Sequence, residues 1–310
     1  MLSGGVGGAK LVKGMSKILV KNQLTVVGNT GDDFEIFGLY ISPDLDIVMY
    51  TLADIVDYEK GWGILNDSYN CLVSLKKYYR RENWFNLGDR DLSTHIYRTE
   101  LLKKGLTLSK VTDRLCASLG VNYLKLKPMS DDRVQTLIRI SRNKIIPFQE
   151  YFVKRKCIDP VLDVIYQGSD KAKPAEGVLE SIVESDLVII CPSNPVASIG
   201  PILSIKGIRQ AILKAKCPRI VVSPIVSGAP LKGPTDKFMS GLGLDVSAFG
   251  VAEYYRGIAD HFILDESDKN LASKIESLGY DVYVTNIVMN SLEDKIRLSK
   301  FILSASGMEG

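Results

Sequence analysis

Short apolar runs recur along this chain, and helical patterns fill the spaces between them. The runs fall at residues 24–27, 187–190, 220–222, 262–264 and 282–284. Several are continuous and do not alternate apolar with polar residues, as strands covered on both faces require. Residues 205–214 and 291–303 carry helical patterns. Strands alternating with helices predict an α/β layer fold, Rossmann-like, with a mostly parallel sheet flanked by helices. The 310 residues suffice for one large or two modest domains, and 45% hydrophobic residues can fill a core of that size.

The middle of the chain loosens this pattern. Residues 108–119 read as a helix, while 134–140 and 144–152 read as a β-hairpin turning at Arg142 and Asn143. The expected organisation is therefore a nucleotide-binding core from residues 1–100 and 185–310, with a smaller α+β subdomain inserted at 101–184. Residues 167–174 form either a mobile loop or a plain surface connector. The start is unusual: a Gly-rich loop begins at Ser3 and leaves only Met1 and Leu2 for the preceding strand. Parallel strands usually take about five residues. Either this strand is clipped or the natural chain starts earlier.

Charge and cysteine usage exclude several classes. A formal net charge of +3 with no long basic run leaves no nucleic-acid footprint, and Lys154, Arg155 and Lys156 read as solvated surface. No run approaches the ~20 apolar residues of a membrane span, and no signal peptide is visible. The five cysteines are scattered and odd in number, which suits reduced thiols in the cytoplasm. With two histidines and no paired cysteines, a catalytic metal would be bound by oxygen, as magnesium is.

The Gly-rich loop contains Gly4, Gly5, Gly7 and Gly8 and leads through Lys10 into a helix over residues 10–19. Glycines let backbone amides approach an anion, and a helix start offers free N–H groups and a positive dipole end. The spacing is that of neither a P-loop nor a clean dinucleotide fingerprint. Together the glycines and the helix start make a phosphate nest, with a tight strand-to-helix turn as the alternative.

Several loops follow the apolar runs, at the strand ends where open α/β sheets bind ligands. Asn29, Thr30, Gly31, Asp32 and Asp33 come first, and the two aspartates either bind a ribose or cap the next segment. Asp44 and Asp46 follow a Pro-led turn. They make a hard-cation platform, or else Asp44 caps the helical stretch 47–52 and Asp46 meets its dipole. Asp57 adds a nearby carboxylate, and Trp62 either stacks on a flat ring or joins the core. Arg90 lies between Asp89 and Asp91. It reads as a salt-bridged helix start, with Asp91 capping residues 92–103, or as a fork for a phosphoryl oxygen. His95 reads as structural rather than as a base. Later, Ser193 and Asn194 lie between two prolines, and Ser223 to Gly228 forms a similar loop. Loops on one rim suggest a shared cleft.

Taken in order, these motifs resemble the 2-phospho-L-lactate transferase family of coenzyme F420 biosynthesis. Gly61–Trp62–Gly63, Met129–Ser130–Asp131–Asp132 and the stretch 250–255 add to the likeness, which covers nearly the whole chain. The resemblance implies transfer of 2-phospholactate from lactyl-2-diphospho-5′-guanosine to the ribityl hydroxyl of a deazaflavin, Fo, releasing GMP and F420-0. Some relatives use an enolpyruvyl donor. It also implies magnesium dependence and a homodimer. By resemblance, Asp46 and Asn86 lie near Fo, and Asn86 stands where some relatives carry a charge. Asp46 and Arg90 would be catalytic, and Asp46, Asp44 and Asp57 would supply metal ligands. The diphosphate would meet the Gly-rich loop, Lys10, Ser193 and Asn194. The alternative is a non-catalytic regulator that binds a nucleotide sugar on the same core.

Overall fold

The computed structural model describes residues 1–79 and 84–308. Its first half runs β1 (Leu2–Ser3), α1 (Gly5–Met15), β2 (Thr25–Gly28), β3 (Phe34–Ile36), β4 (Leu39–Ile41), α2 (Pro43–Leu52), α3 (Asn70–Tyr78), α4 (Asp89–Lys103), α5 (Leu108–Ser118) and β5 (Lys125–Pro128). A small antiparallel unit follows, with β6 (Gln135–Ser141), β7 (Lys144–Pro147) and β8 (Asp163–Gln167). The chain then continues through α6 (Val178–Val183), β9 (Val188–Ile190), α7 (Gly200–Ser204), α8 (Ile208–Lys214) and β10 (Arg219–Val222). A short hairpin, β11 (Ile225–Val226) and β12 (Ala229–Pro230), precedes α9 (Thr235–Gly241) and α10 (Ala248–Tyr254). The last elements are β13 (His261–Leu264), α11 (Ala272–Glu276), β14 (Asp281–Val284) and α12 (Leu292–Ala305).

Seven strands form one sheet in the order β14-β13-β10-β9-β1-β2-β5, and each neighbouring pair is parallel. The alternation of side chains explains the continuous apolar runs. Val26, Ile189, Ile220, Val222 and Ile263 face one core, which α1, α2, α5 and α12 cover. Val27, Val188, Ile190, Val221, Phe262 and Leu264 face the other, under α6, α7, α8, α10 and α11. Each inner strand therefore buries both faces. Among the described residues no single helix is long and apolar enough to cross a membrane.

The two-residue β1 is an inner strand of this sheet, between β9 and β2. Leu2 pairs with both Val27 and Ile190, and the ladder includes Val27 N–H to Met1 O at 2.8 Å and Cys191 N–H to Leu2 O at 3.1 Å. From β1 the chain builds outward to β2 and β5, then returns beside β1 at β9 and builds the other way. The direction reverses between β1 and β9, so the loops at their carboxyl ends open a crevice.

The hairpin expected around Arg142 and Asn143 is present as β6 and β7. Residues 101–184 supply this small sheet and also β5, an edge strand of the main sheet. The small sheet packs through Ile138, Ile140 and Phe148 onto Val196 and Ala197, just after β9, and Thr136 N–H bonds Gly31 O at 2.7 Å. These contacts hold it over the acidic loop that follows β2.

Candidate functional site

At the switch point the Gly-rich loop is wrapped rather than open. The helix begins at Gly5, five residues earlier than the pattern suggests. Gly5 has φ +63°, a left-handed conformation that glycine adopts freely. A Cβ on Gly7 would run into the Pro192 carbonyl oxygen, so the loop after β9 lies directly on α1. Gly8 sits between the Ser3 and Ser193 hydroxyls, and Gly4 N–H donates to Ser193 Oγ at 3.2 Å. Gly5 N–H donates to Asp44 Oδ1 at 2.8 Å. A carboxylate thus meets the positive end of α1. Asn194 Oδ1 accepts from Val196 N–H and Ala197 N–H, each at 3.0 Å, while its Nδ2 and the Ser3 hydroxyl are buried with no hydrogen-bond partner among the described residues.

The acidic loop after β2 adjoins this crevice. Asn29 Nδ2 donates to Asp44 Oδ2 at 2.9 Å, and Asn29 Oδ1 accepts from Gly31 N–H at 2.8 Å. Asp44 does not cap α2. Ser42 occupies the cap position and Asp44 lies inside the first turn, turned toward α1. Asp32 and Asp44 are both buried. Burial raises the pKa of Asp32 well above its usual value, and the Asp44 charge adds to this; burial also raises Asp44. Asp33 accepts from Ser42 Oγ at 2.6 Å, yet burial still pushes it well up. Oδ1 of Asp32 and Oδ1 of Asp33 have no hydrogen-bond partner among the described residues.

The expected metal set does not converge. Asp46 has both oxygens on the Arg98 guanidinium, a pair buried between α2 and α4. Burial works against the Arg98 charge, but Asp46 outweighs it and holds the guanidinium protonated. Asp57 is taken by Lys60, whose Nζ lies 2.8 Å away. Only Asp44 of the three reaches the crevice. Among the described residues no group of three or more His, Cys, Asp or Glu could hold a metal.

Arg90 and Asn86 also lie away from the crevice. Arg90 is exposed and donates to Leu65 O at 3.1 Å. It bridges neither flanking aspartate: Asp89 accepts from Ser68, Asn70 and Cys71, and Asp91 accepts from Tyr50 Oη at 2.7 Å. Gly88, not Asp91, caps α4. Asn86 is exposed, with Lys76 Nζ at 3.4 Å. Trp62 is exposed near Lys60 and outside the core.

Arg98 is the buried arginine that the sequence reading missed. Asp91, His95 and Arg98 are spaced four and three residues apart, one helix face, and that polar stripe was a readable signal. His95 Nδ1 lies 3.1 Å from Arg98 Nη1, and its Nε2 lies 3.2 Å from Asp91 Oδ1. The ring is wedged between a cation and a carboxylate.

Two further lysines join Lys10. Burial and Lys232 lower the Lys10 pKa. Lys232 Nζ fills the space where a Gly61 Cβ would stand. Lys295 is buried, with Nζ 4.2 Å over the Tyr58 ring, and burial, Lys10 and Lys13 lower its pKa. Lys10 and Lys232 lie near the Gly-rich loop and would attract a phosphate, whereas Lys295 lies toward the far end of α1 with its backbone against Gly14. They are distant in sequence, so no motif announces them.

Comparison with known proteins identifies the family. The family model for "2-phospho-L-lactate transferase CofD" matches residues 1–297. The 2-phospho-L-lactate transferase of Methanocaldococcus jannaschii is 42% identical over 310 residues, covering 99% of this chain and 97% of that protein. The phosphoenolpyruvate transferase of Streptomyces coelicolor is 39% identical over 308 residues, covering 98% and 96%. Among solved structures, a UPF0052 family protein from Bacillus halodurans superposes with a TM-score of 0.65 at 14% identity, covering 97% of each chain, and shares the fold.

Proposed function

Since the chain belongs to the 2-phospho-L-lactate transferase family and is a transferase, we propose that it moves a phosphate-linked small acid from a guanosine diphosphate donor to the alcohol of the deazaflavin Fo. The acceptor oxygen attacks the phosphorus bearing the acid. A new P–O bond forms, the bond to the GMP oxygen breaks, and the hydroxyl proton passes to a carboxylate of the acidic loop. The product is F420-0, or its dehydro form from an enolpyruvyl donor.

One observation carries this reading. Unpaired donors and unpaired acceptors adjoin at the switch point. Asn194 Nδ2 and the Ser3 hydroxyl lack partners beside α1, while Asp32 and Asp33 each keep an unpaired carboxylate oxygen on the neighbouring loop. Unmade hydrogen bonds at buried groups cost free energy, so such clusters suit a polar ligand. The diphosphate would lie along the Gly-rich loop, with Asn194, Lys10 and Lys232 around it, and the alcohol would approach from Asp32 and Asp33. Transfer of this kind rests on positioning and charge stabilisation.

Magnesium, implied by the resemblance, fits Asp32 and Asp44 better than Asp46 or Asp57. Magnesium commonly takes one or two carboxylates and completes its shell with substrate phosphates and water. Bound there, it would offset the charge of the donor phosphates. The homodimer and the cytoplasmic setting belong to the same reading.

The test is an assay with purified protein, Fo, magnesium and each guanosine-diphospho acid in turn, with products separated by mass. GMP release with F420-0 or its dehydro form supports the reading and identifies the donor. Folded protein that gives no product with either donor would refute it.

A further inference from the structure

Asn194 is held by backbone rather than by other side chains. Its Oδ1 accepts from Val196 N–H and Ala197 N–H, each at 3.0 Å, and two donors on one atom fix that end of the amide as the oxygen. Nδ2 is the end left over, buried with no hydrogen-bond partner among the described residues. Its position therefore follows from that of the backbone it caps. Pro195–Ile199 form one wide helical turn, closed by Gly200 N–H to Pro195 O. Such π turns recur at functional sites.

Two side chains pin carbonyls of this turn. Asn29 Nδ2 reaches Ala197 O at 3.4 Å from the acidic loop. Tyr166 Oη donates to Val196 O at 2.6 Å from β8 of the small sheet. A Cβ on Gly200 would meet the hydroxyls of both Tyr166 and Tyr254, so glycine there leaves room for the pair. Tyr166 gives its one hydroxyl proton to Val196 O, and Tyr254, from the 250–255 stretch, donates in turn to Tyr166. The Val196 and Ala197 side chains also pack on Ile138, Ile140 and Phe148. That apolar contact is non-directional, whereas the hydroxyl fixes how the turn is rotated.

We propose that Tyr166 is a positioning residue for the transfer. Its hydroxyl is taken by Val196 and Tyr254, so it acts through Asn194. Tyr166 holds Val196 O, the amides of residues 196 and 197 hold Asn194 Oδ1, and Asn194 Nδ2 meets a phosphate oxygen of the donor. The small sheet, which also bonds the acidic loop through Thr136, thereby sets the place of a donor-binding group. The assignment rests on the proposed transfer from a guanosine diphosphate donor and deepens it.

Tyr166→Phe keeps the ring and removes the hydroxyl. Calorimetric titration with guanosine diphosphate is expected to show binding weakened about three- to tenfold. The KM for the donor should rise with it, while the KM for the deazaflavin stays unchanged. A double-mutant cycle with Asn194→Ser separates positioning from packing, because serine keeps an oxygen to cap the turn and lacks the amide donor. In that background Tyr166→Phe is expected to change guanosine diphosphate affinity by less than about twofold. Tyr254→Phe gives a second reading should Tyr166→Phe not fold: a loss of about twofold that vanishes in Asn194→Ser. Wild-type affinity in Tyr166→Phe, or a loss as large in Asn194→Ser as in the wild type, overturns the assignment while the proposed function stands. A wild-type protein that binds no guanosine diphosphate overturns both.

Discussion

A buried carboxylate without a partner escapes its desolvation cost by taking a proton or a cation. Asp32 is close to that position: burial and Asp44 raise its pKa well up, against the hydrogen bonds of the Asn29 and Thr136 side chains. A raised folded-state pKa means that the folded protein holds a proton the unfolded chain has released. Stability therefore falls as pH climbs from the unfolded value near ~4 through the raised folded value, and the loss persists above it. Asp32→Asn should remove that loss. It is expected to raise stability at neutral pH by about 0.5–2 kcal/mol, flatten the pH dependence, and lower turnover about 100-fold or more. Melting curves across pH and the transfer assay check both parts. Magnesium should raise the melting temperature of the wild type and have little effect on this variant. Arg98 makes the opposite case. Its removal would strand Asp46 without a counter-charge, so Arg98→Ala should cost about 3–5 kcal/mol by denaturant titration. Arg90→Lys, at an exposed arginine that meets only a carbonyl, should stay within about 0.5 kcal/mol of the wild type.

At the scale of elements, α1 is positioned by what its glycines lack. Gly7 allows the Pro192 carbonyl to rest on the helix, and Gly14 allows the Lys295 backbone of α12 to do the same further along. Gly7→Ala would push the loop after β9 away from α1. It should cost about 1–3 kcal/mol and weaken guanosine diphosphate binding in a calorimetric titration, because Ser193 and Asn194 ride on that loop. Unaltered stability and binding would mean that the loop moves freely and that its contact with α1 has no part in binding. α4 works differently. Its polar stripe of Asp91, His95 and Arg98 ties it to α2 through Tyr50 and Asp46.

The whole molecule is a doubly wound sheet whose shortest strand is an inner one. β1 can be two residues long because both neighbours pair with it and both cores close over it. Amide exchange should follow this layout. The amides of β2, β9, β10 and β13 are expected to exchange slowest, and those of the edge strand β14 and the small-sheet edge β7 sooner. Uniform exchange across β7 and β9 would contradict it.

The sequence alone determined the layers. Runs such as 187–190 and 220–222 are apolar at every position, and only a strand covered on both sides tolerates that, so a parallel sheet between helices follows from local composition. The rim was legible for the same reason, since Gly4 to Gly8, Asn29 to Asp33, Asp44 and Ser193–Asn194 all sit beside strand ends, and the order of motifs identified the family. What each charged side chain touches was decided by the tertiary structure. Asp44 and Asp46 are two residues apart, yet α2 turns Asp44 toward Gly5 and Asp46 toward Arg98. Arg90 sits among the motif residues but on the outer face of α4, while Arg98, outside any motif, faces inward. Lys232 and Thr136 reach the site or its borders from distant segments. Backbone periodicity is local and can be read along the chain; the pairing of buried charges depends on which helix faces which across a packed core, and only the folded chain sets that.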